Sequence, residues 1–142
     1  MQSAPNLLPS NYLFTYGSLQ RDFDNEMSEL VQRSFAYRGK GYIEGSLYDV
    51  GTFPAAILAG RPGSKVHGEL FRIPPCEIPL VDLLDEYEGC PELYERVLME
   101  VNTEDGKTID AMVYVYQRTT QDLDPIESGN YREYYEDASK KY

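Results

Sequence analysis

Two runs in the second half of the chain, "YERVLMEVN" (94–102) and "TIDAMVYVY" (108–116), alternate apolar and polar or aromatic residues. That period of two belongs to β-strands with one face turned to a core. "TEDGK" joins them and carries Asp105-Gly106, residue types that tolerate φ > 0 at both central positions of a tight turn. A long antiparallel hairpin is therefore the element around which the rest must pack.

Shorter strand signals surround it. "NYLFTYGSL" gives an apolar strand from Tyr12 that stops at Gly17, and "GYIEGSLYDV" a strand bent or bulged at Gly45. "PAAILA" is a small-residue strand, and "VHGELFRI" alternates up to Pro74-Pro75. "DNEMSELVQRS" has helical spacing with Asp24 as the expected N-cap, and residues 77–88 form the clearest helix. The tail "GNYREYYEDASKKY" reads as a short helix or a segment draped over the sheet. Six or so strands with short helices give an α+β fold. Because strands dominate and carry glycine bends, a small, strongly curved or closed sheet is expected. Residues 1–10, with two prolines, form a loose lead-in, and 11–142 a single domain.

The net charge of −11, from 13 basic and 24 acidic residues, repels phosphate backbones, and no basic stripe offsets it. Nucleic-acid and membrane-surface partners are set aside. No apolar run reaches the roughly 18 residues of a spanning helix. The opening "MQSAPNLLPSN" lacks the basic flank and apolar stretch of a signal peptide, so the expected compartment is cytoplasmic. Cys76 and Cys90 lack CxxC spacing and His67 is the single histidine, so no zinc set exists and the thiols are expected to be reduced.

One oddity lies in "VDLLDEYEGC". On a wheel at about 100° per residue, Leu80, Val81, Leu83, Leu84 and Tyr87 share an arc of roughly 160°. Asp82, Asp85 and Glu86 fall outside it, towards water, but Glu88 falls inside. Gly89 follows, as expected just past a helix end. Apolar burial and the negative helix C-terminus both raise the proton affinity of such a carboxyl. Glu88 either pairs with a cation such as Arg96, faces a cavity as a general acid/base, or turns outward as the last turn frays.

The other notable stretch is Tyr16-Gly17-Ser18-Leu19, at the end of the first strand. Glycine there permits a sharp turn whose amides can converge on an anion or oxyanion, although a plain strand–loop boundary fits the spacing as well. Neither GxxxxGK[ST] nor G-x-S-x-G is present. Ser18 is a poor candidate nucleophile, His67 reads as a strand side chain, and a Cys90–His67 pair has no feature joining it.

"LFTYGSL", "VHGELFRI" and "LLDEYEGCPELYERV", in this order, resemble the gamma-glutamyl cyclotransferase-like superfamily. The resemblance runs from about Tyr12 to "SGNYREY" and is nearest the gamma-glutamylamine cyclotransferase and plant avirulence-induced-gene branches. It implies a small mixed β-barrel of about six strands flanked by short helices, with a cavity at one side. It also implies Glu88 as general acid/base. Tyr16, Gly17, Ser18 and Leu19 would hold the glutamyl part, with Tyr94 as a further substrate contact. The family's closing glycine-acidic-tryptophan element, which borders the cavity in relatives, stands here as Gly129-Asn130-Tyr131, making Tyr131 a substrate-binding candidate. The implied reaction needs neither metal nor cofactor. The α-amine of a small γ-glutamyl compound attacks its own γ-carbonyl, and 5-oxoproline and an amine are released. Competing expectations are a hydrolase releasing glutamate, and a binding or regulatory protein on the same fold. A two-carboxylate glycosidase using Asp85 and Glu88 fits poorly, since the wheel sets Asp85 on the solvent side. The sequence leaves the oligomeric state open.

Overall fold

The computed structural model describes residues 8–21, 23, 25–51, 53–58 and 63–140, with side chains up to 136. Most of the lead-in, residues 1–7, lies outside this set. In chain order the elements are β1 (Tyr12–Thr15), α1 (Glu26–Ser34), β2 (Ala36–Glu44), β3 (Ser46–Asp49), β4 (Pro54–Ile57) and β5 (Lys65–Arg72). A single 3-10 turn (Pro75–Glu77) leads into α2 (Pro79–Glu88). Then follow β6 (Tyr94–Thr103), β7 (Thr108–Tyr116), β8 (Asp124–Pro125) and α3 (Tyr131–Lys140).

Five strands close into a barrel in the order β1-β5-β2-β6-β7, and β4-β3-β8 form a separate small sheet. The β6–β7 hairpin pairs without interruption from Tyr94↔Tyr116 to Asn102↔Thr108 and turns at Gly106, whose φ is +86°. Closure is made by a parallel contact, Leu13 of β1 against Met112 of β7, so the barrel is mixed. Barrel closure leaves no free edge on these strands.

Both faces of the barrel strands are covered, which explains runs more apolar than simple alternation requires. Leu13, Phe71 and Met112 pack with Val31 of α1 and with Val81 and Leu84 of α2. Their neighbours Phe14, Leu70 and Val113 pack with Ile43, Val66, Leu47 of β3 and Tyr131 of α3. Backbone approach is close where glycines face one another, Gly41 opposite Gly68. A Cβ on Gly68 would lie 2.1 Å from the Thr15 carbonyl oxygen, and one on Gly41 2.6 Å from that of Asn102.

The expected bend at Gly45 is a change of sheet. β2 stays in the barrel and β3 leaves it, and β4 comes so close there that a Cβ at Gly45 would sit 2.6 Å from the Ile57 carbonyl oxygen. Helix α1 is capped by Asn25, whose side chain accepts from Ser28 N at 2.7 Å; the expected cap, Asp24, lies outside the described residues. No described helix is long and apolar enough to cross a membrane.

Helix α2 departs from the wheel reading in one instructive way. Its buried residues are Val81 and Leu84, whereas Leu83 and Tyr87 are 46% and 50% exposed. The packed face runs 81-84-85-88, rotated by about 70° from the arc centred on the leucines. Asp85 therefore faces the barrel beside Glu88 and not bulk water. The helix stops at Gly89, left-handed at φ +73°, whose N–H and that of Cys90 take up the carbonyls of Glu86 and Asp85.

Candidate active site

A cavity of about 260 Å³ opens between the end of β1, the start of β4 and the C-terminus of α2. The Tyr16–Leu19 turn, Pro54, Glu88, Tyr94 and Tyr114 line it, together with Phe53, Tyr87 and Leu93. Glu88, Tyr16, Gly17, Ser18, Leu19 and Tyr94, dispersed in sequence, thus share one cavity.

The turn is shaped by local contacts. Gln20 returns both its backbone N–H and its side-chain amide to the Gly17 carbonyl, each at 3.1 Å. A Cβ on Gly17 would meet Pro54 Cγ at 2.8 Å, so glycine is what lets the turn lie against β4. Asn25 ties it to α1 by donating to the Ser18 carbonyl at 2.9 Å. No acceptor among the described residues takes the N–H groups of Ser18 or Leu19.

Three tyrosines hold the walls. Tyr16 Oη donates to the Tyr114 carbonyl at 2.6 Å and accepts from Ala56 N at 3.3 Å, bridging barrel and second sheet. Tyr94 Oη donates to the Pro54 carbonyl at 2.6 Å. Tyr114 Oη donates to Asp85 Oδ1 at 2.7 Å. Burial, first of all, raises the pKa of each phenol. With their hydroxyl protons committed to these acceptors, they act as scaffold.

The cation pairing that the sequence leaves open as one alternative for Glu88 goes to Asp85. Arg96 grips Asp85 with two bonds, Nε to Oδ1 at 2.9 Å and Nη2 to Oδ2 at 3.0 Å. Glu88 has no hydrogen bond or ion pair among the described residues. Desolvation first, and the charge of Asp85 second, raise its pKa from 4.5 to about 7. An unpaired carboxyl half-ionised near neutrality can take up and return a proton.

Other candidates separate from the cavity. Tyr131 does not line it: its ring is buried, stacked on Phe23 with centroids 5.9 Å apart. Its segment is fixed by Gly129, whose carbonyl accepts from His67 N at 2.7 Å and where a Cβ would collide with the Lys65 carbonyl. His67 lies beside Tyr42 and lines a different cavity with Lys40 and Glu69. Cys90 packs against the α1–α2 side of the core, and burial followed by Asp85 and Glu88 pushes its thiol up to about 11, away from a nucleophilic thiolate. Both cysteines are free, and no metal-binding cluster occurs among the described residues.

Sequence reasoning missed Asp85, Arg96 and Tyr114 as a network, and Phe53 as a wall. The 81-84-85-88 spacing carries a signal for Asp85, and Tyr94-x-Arg96 puts Tyr94 and Arg96 two apart on β6. Phe53, brought in by the second sheet, has no such signal.

The arrangement has counterparts. The family model described as gamma-glutamyl cyclotransferase, AIG2-like, matches residues 13–133. The chain belongs to this family of gamma-glutamyl cyclotransferase-like enzymes. A gamma-glutamylcyclotransferase family protein of Citrobacter rodentium is 33% identical over 120 residues, 84% of this chain and 93% of its own. The zebrafish (Danio rerio) gamma-glutamylaminecyclotransferase A is 31% identical over 72 residues, 51% of this chain and 43% of that enzyme. The crystal structure of a mouse AIG2-like protein superposes with a TM-score of 0.68 at 26% identity, covering 84% of this chain and 87% of the mouse one. The barrel with its flanking helices is thus the family's fold.

Proposed function

We propose that this enzyme releases 5-oxoproline from a γ-glutamyl compound, with Glu88 as the single general acid/base. The observation that carries the reading is an unpaired, largely buried carboxyl that lines one cavity together with a turn whose amides are unclaimed. Glu88 removes a proton from the substrate's α-ammonium group. The freed amine attacks the γ-carbonyl carbon, forming the C–N bond of a five-membered ring. The negative oxygen that develops is met by the Ser18 and Leu19 amides, an effect of roughly 3 kcal/mol per donor in comparable sites. Glu88 then returns the proton to the departing nitrogen as its bond to carbon breaks, and takes the second proton from the ring nitrogen and passes it to the released amine, so that a neutral lactam and an ammonium ion leave. Atoms and charge balance without water or metal. Because nucleophile and electrophile belong to one molecule, the cavity's main task is to select the folded-back conformer.

Product analysis tests this reading. Incubation with γ-glutamyl amides is expected to yield 5-oxoproline and the free amine in equal amounts. Glutamate in place of 5-oxoproline would show hydrolysis instead.

The role of Asp85 gives a directional expectation. Its charge helps to keep the Glu88 proton affinity high. Asp85→Asn removes that charge, so the Glu88 pKa falls. The base form is the one that starts the reaction, so the acid limb of kcat/KM against pH moves to lower pH. An unmoved or raised limb would show that Asp85 does not act on Glu88 electrostatically.

A further inference from the structure

The part of the cavity lining that reaches solvent is of two chemical kinds, a short polar turn and a set of apolar side chains. The lining residues that reach solvent are Gly17 and Ser18 of the turn, the largely apolar Phe53, Tyr87 and Leu93, and Glu88. If the γ-carbonyl lies between Glu88 and the turn, the glutamyl portion covers Gly17 and Ser18. Phe53, Tyr87 and Leu93 are then the solvent-reaching lining left for the departing amine.

That wall is suited to a particular kind of group. Phe53 stands at 6.1 Å from the Tyr94 ring, tilted by 58°, which leaves aromatic faces and edges for a third ring to meet. Tyr87, half exposed at the helix end, flanks the mouth. No lysine, arginine or histidine occurs among the described lining residues. Arg96, beside Glu88's neighbour Asp85, is held by both oxygens of that carboxylate. A carboxylate on the departing amine would be desolvated on this wall without a cationic partner.

We propose that the enzyme, on the cyclotransferase reading above, is selective for γ-glutamyl conjugates of apolar aromatic amines that carry no carboxylate. γ-Glutamyl arylalkylamides fit this wall, and γ-glutamyl amino acids do not. The selectivity has two components that can be separated. The aromatic group gains contact with Phe53 and Tyr87, and the missing carboxylate avoids an unpaired charge.

Three conjugates isolate them: γ-glutamyl-2-phenylethylamine, γ-glutamylphenylalanine, which adds only a carboxylate, and γ-glutamylethylamine, which removes only the ring. Their affinities are measured by calorimetry on the Glu88→Gln variant, and their turnover on the parent enzyme. The phenylethylamine conjugate is expected to bind at least tenfold more tightly than either of the others. Adding Tyr87→Arg to the Glu88→Gln variant is expected to bring the phenylalanine conjugate to parity or better. Equal binding of the phenylalanine conjugate in Glu88→Gln, equal binding of the ethylamine conjugate, or no binding of the phenylethylamine conjugate overturns the proposal. A preference unchanged by Tyr87→Arg overturns its assignment to this wall. Absence of 5-oxoproline from all three conjugates with the parent enzyme counts against the cyclotransferase reading and leaves the binding comparison standing by itself.

Discussion

Glu88→Gln is expected to slow 5-oxoproline release by at least about 10²-fold, the usual range for loss of a positioned acid/base being roughly 10²–10⁴. The amide keeps the size and polarity of the carboxyl, and no bond to a described neighbour is lost, so the fold is expected to persist. A second readout separates this from incidental damage. The folded-state pKa of Glu88 is raised to about 7 against an ordinary value of 4.5. The folded protein therefore holds this proton more tightly than the unfolded chain does. The resulting stabilisation is fully present below about pH 4.5 and is lost as pH rises through about 7. From this group alone the parent enzyme should lose on the order of 3 kcal/mol across that window. Glutamine cannot ionise, so Glu88→Gln gains on its parent by this amount between pH 4 and pH 8 in denaturant melts. A variant that is inactive yet relatively more stable at pH 8 is what a strained catalytic carboxyl should leave behind.

Gly68→Ala is expected to produce the largest structural effect. Its Cβ would lie 2.1 Å from the Thr15 carbonyl oxygen and 2.7 Å from Phe14 Cζ, with the Thr15 carbonyl carbon at 3.0 Å. Two of these atoms are backbone, so no rotamer change relieves the contact. Either β1 moves off β5, or the ring of Phe14 and the strand shift together. Overpacking of this kind costs about 3 kcal/mol, and for a chain of this size Tm should fall by roughly 10 °C. The consequence for function follows from connectivity. Thr15 immediately precedes the Tyr16–Leu19 turn, so turnover at a temperature where the variant is still folded should drop as well. Unchanged stability would mean that the barrel is looser at β1 than its register implies.

The features legible in the sequence are those fixed by local chemistry. Asp105-Gly106 between alternating runs specifies the β6–β7 hairpin, and Gly89 after the apolar spacing Leu80, Val81, Leu84 and Tyr87 specifies where α2 ends. Glu88 and the Tyr16–Leu19 turn could be picked out because each breaks a local rule, a carboxylate on an apolar face and a glycine at the end of a buried strand. What escaped was set by tertiary pairing. Arg96 could have served Glu88 or Asp85 equally well on sequence grounds. The actual rotation of α2, which buries Val81 and Leu84 and exposes Leu83, decides for Asp85. Tyr131 looked like a cavity residue because of its place in a motif, but Gly129 docks that segment onto β5 and turns the ring onto Phe23. Phe53 lines the cavity from the start of a second sheet, β4-β3-β8, which the chain enters just after Gly45.

Everything proposed for the reaction depends on one carboxyl group keeping its proton up to neutral pH. Carbon-13 NMR of protein labelled at glutamate side-chain carbonyls measures this directly, with the Glu88 signal assigned by its absence in Glu88→Gln. A titration midpoint near 7 is expected, displaced from the other glutamates. A midpoint near 4.5, level with exposed carboxyls, would contradict the assignment of Glu88 as the proton carrier.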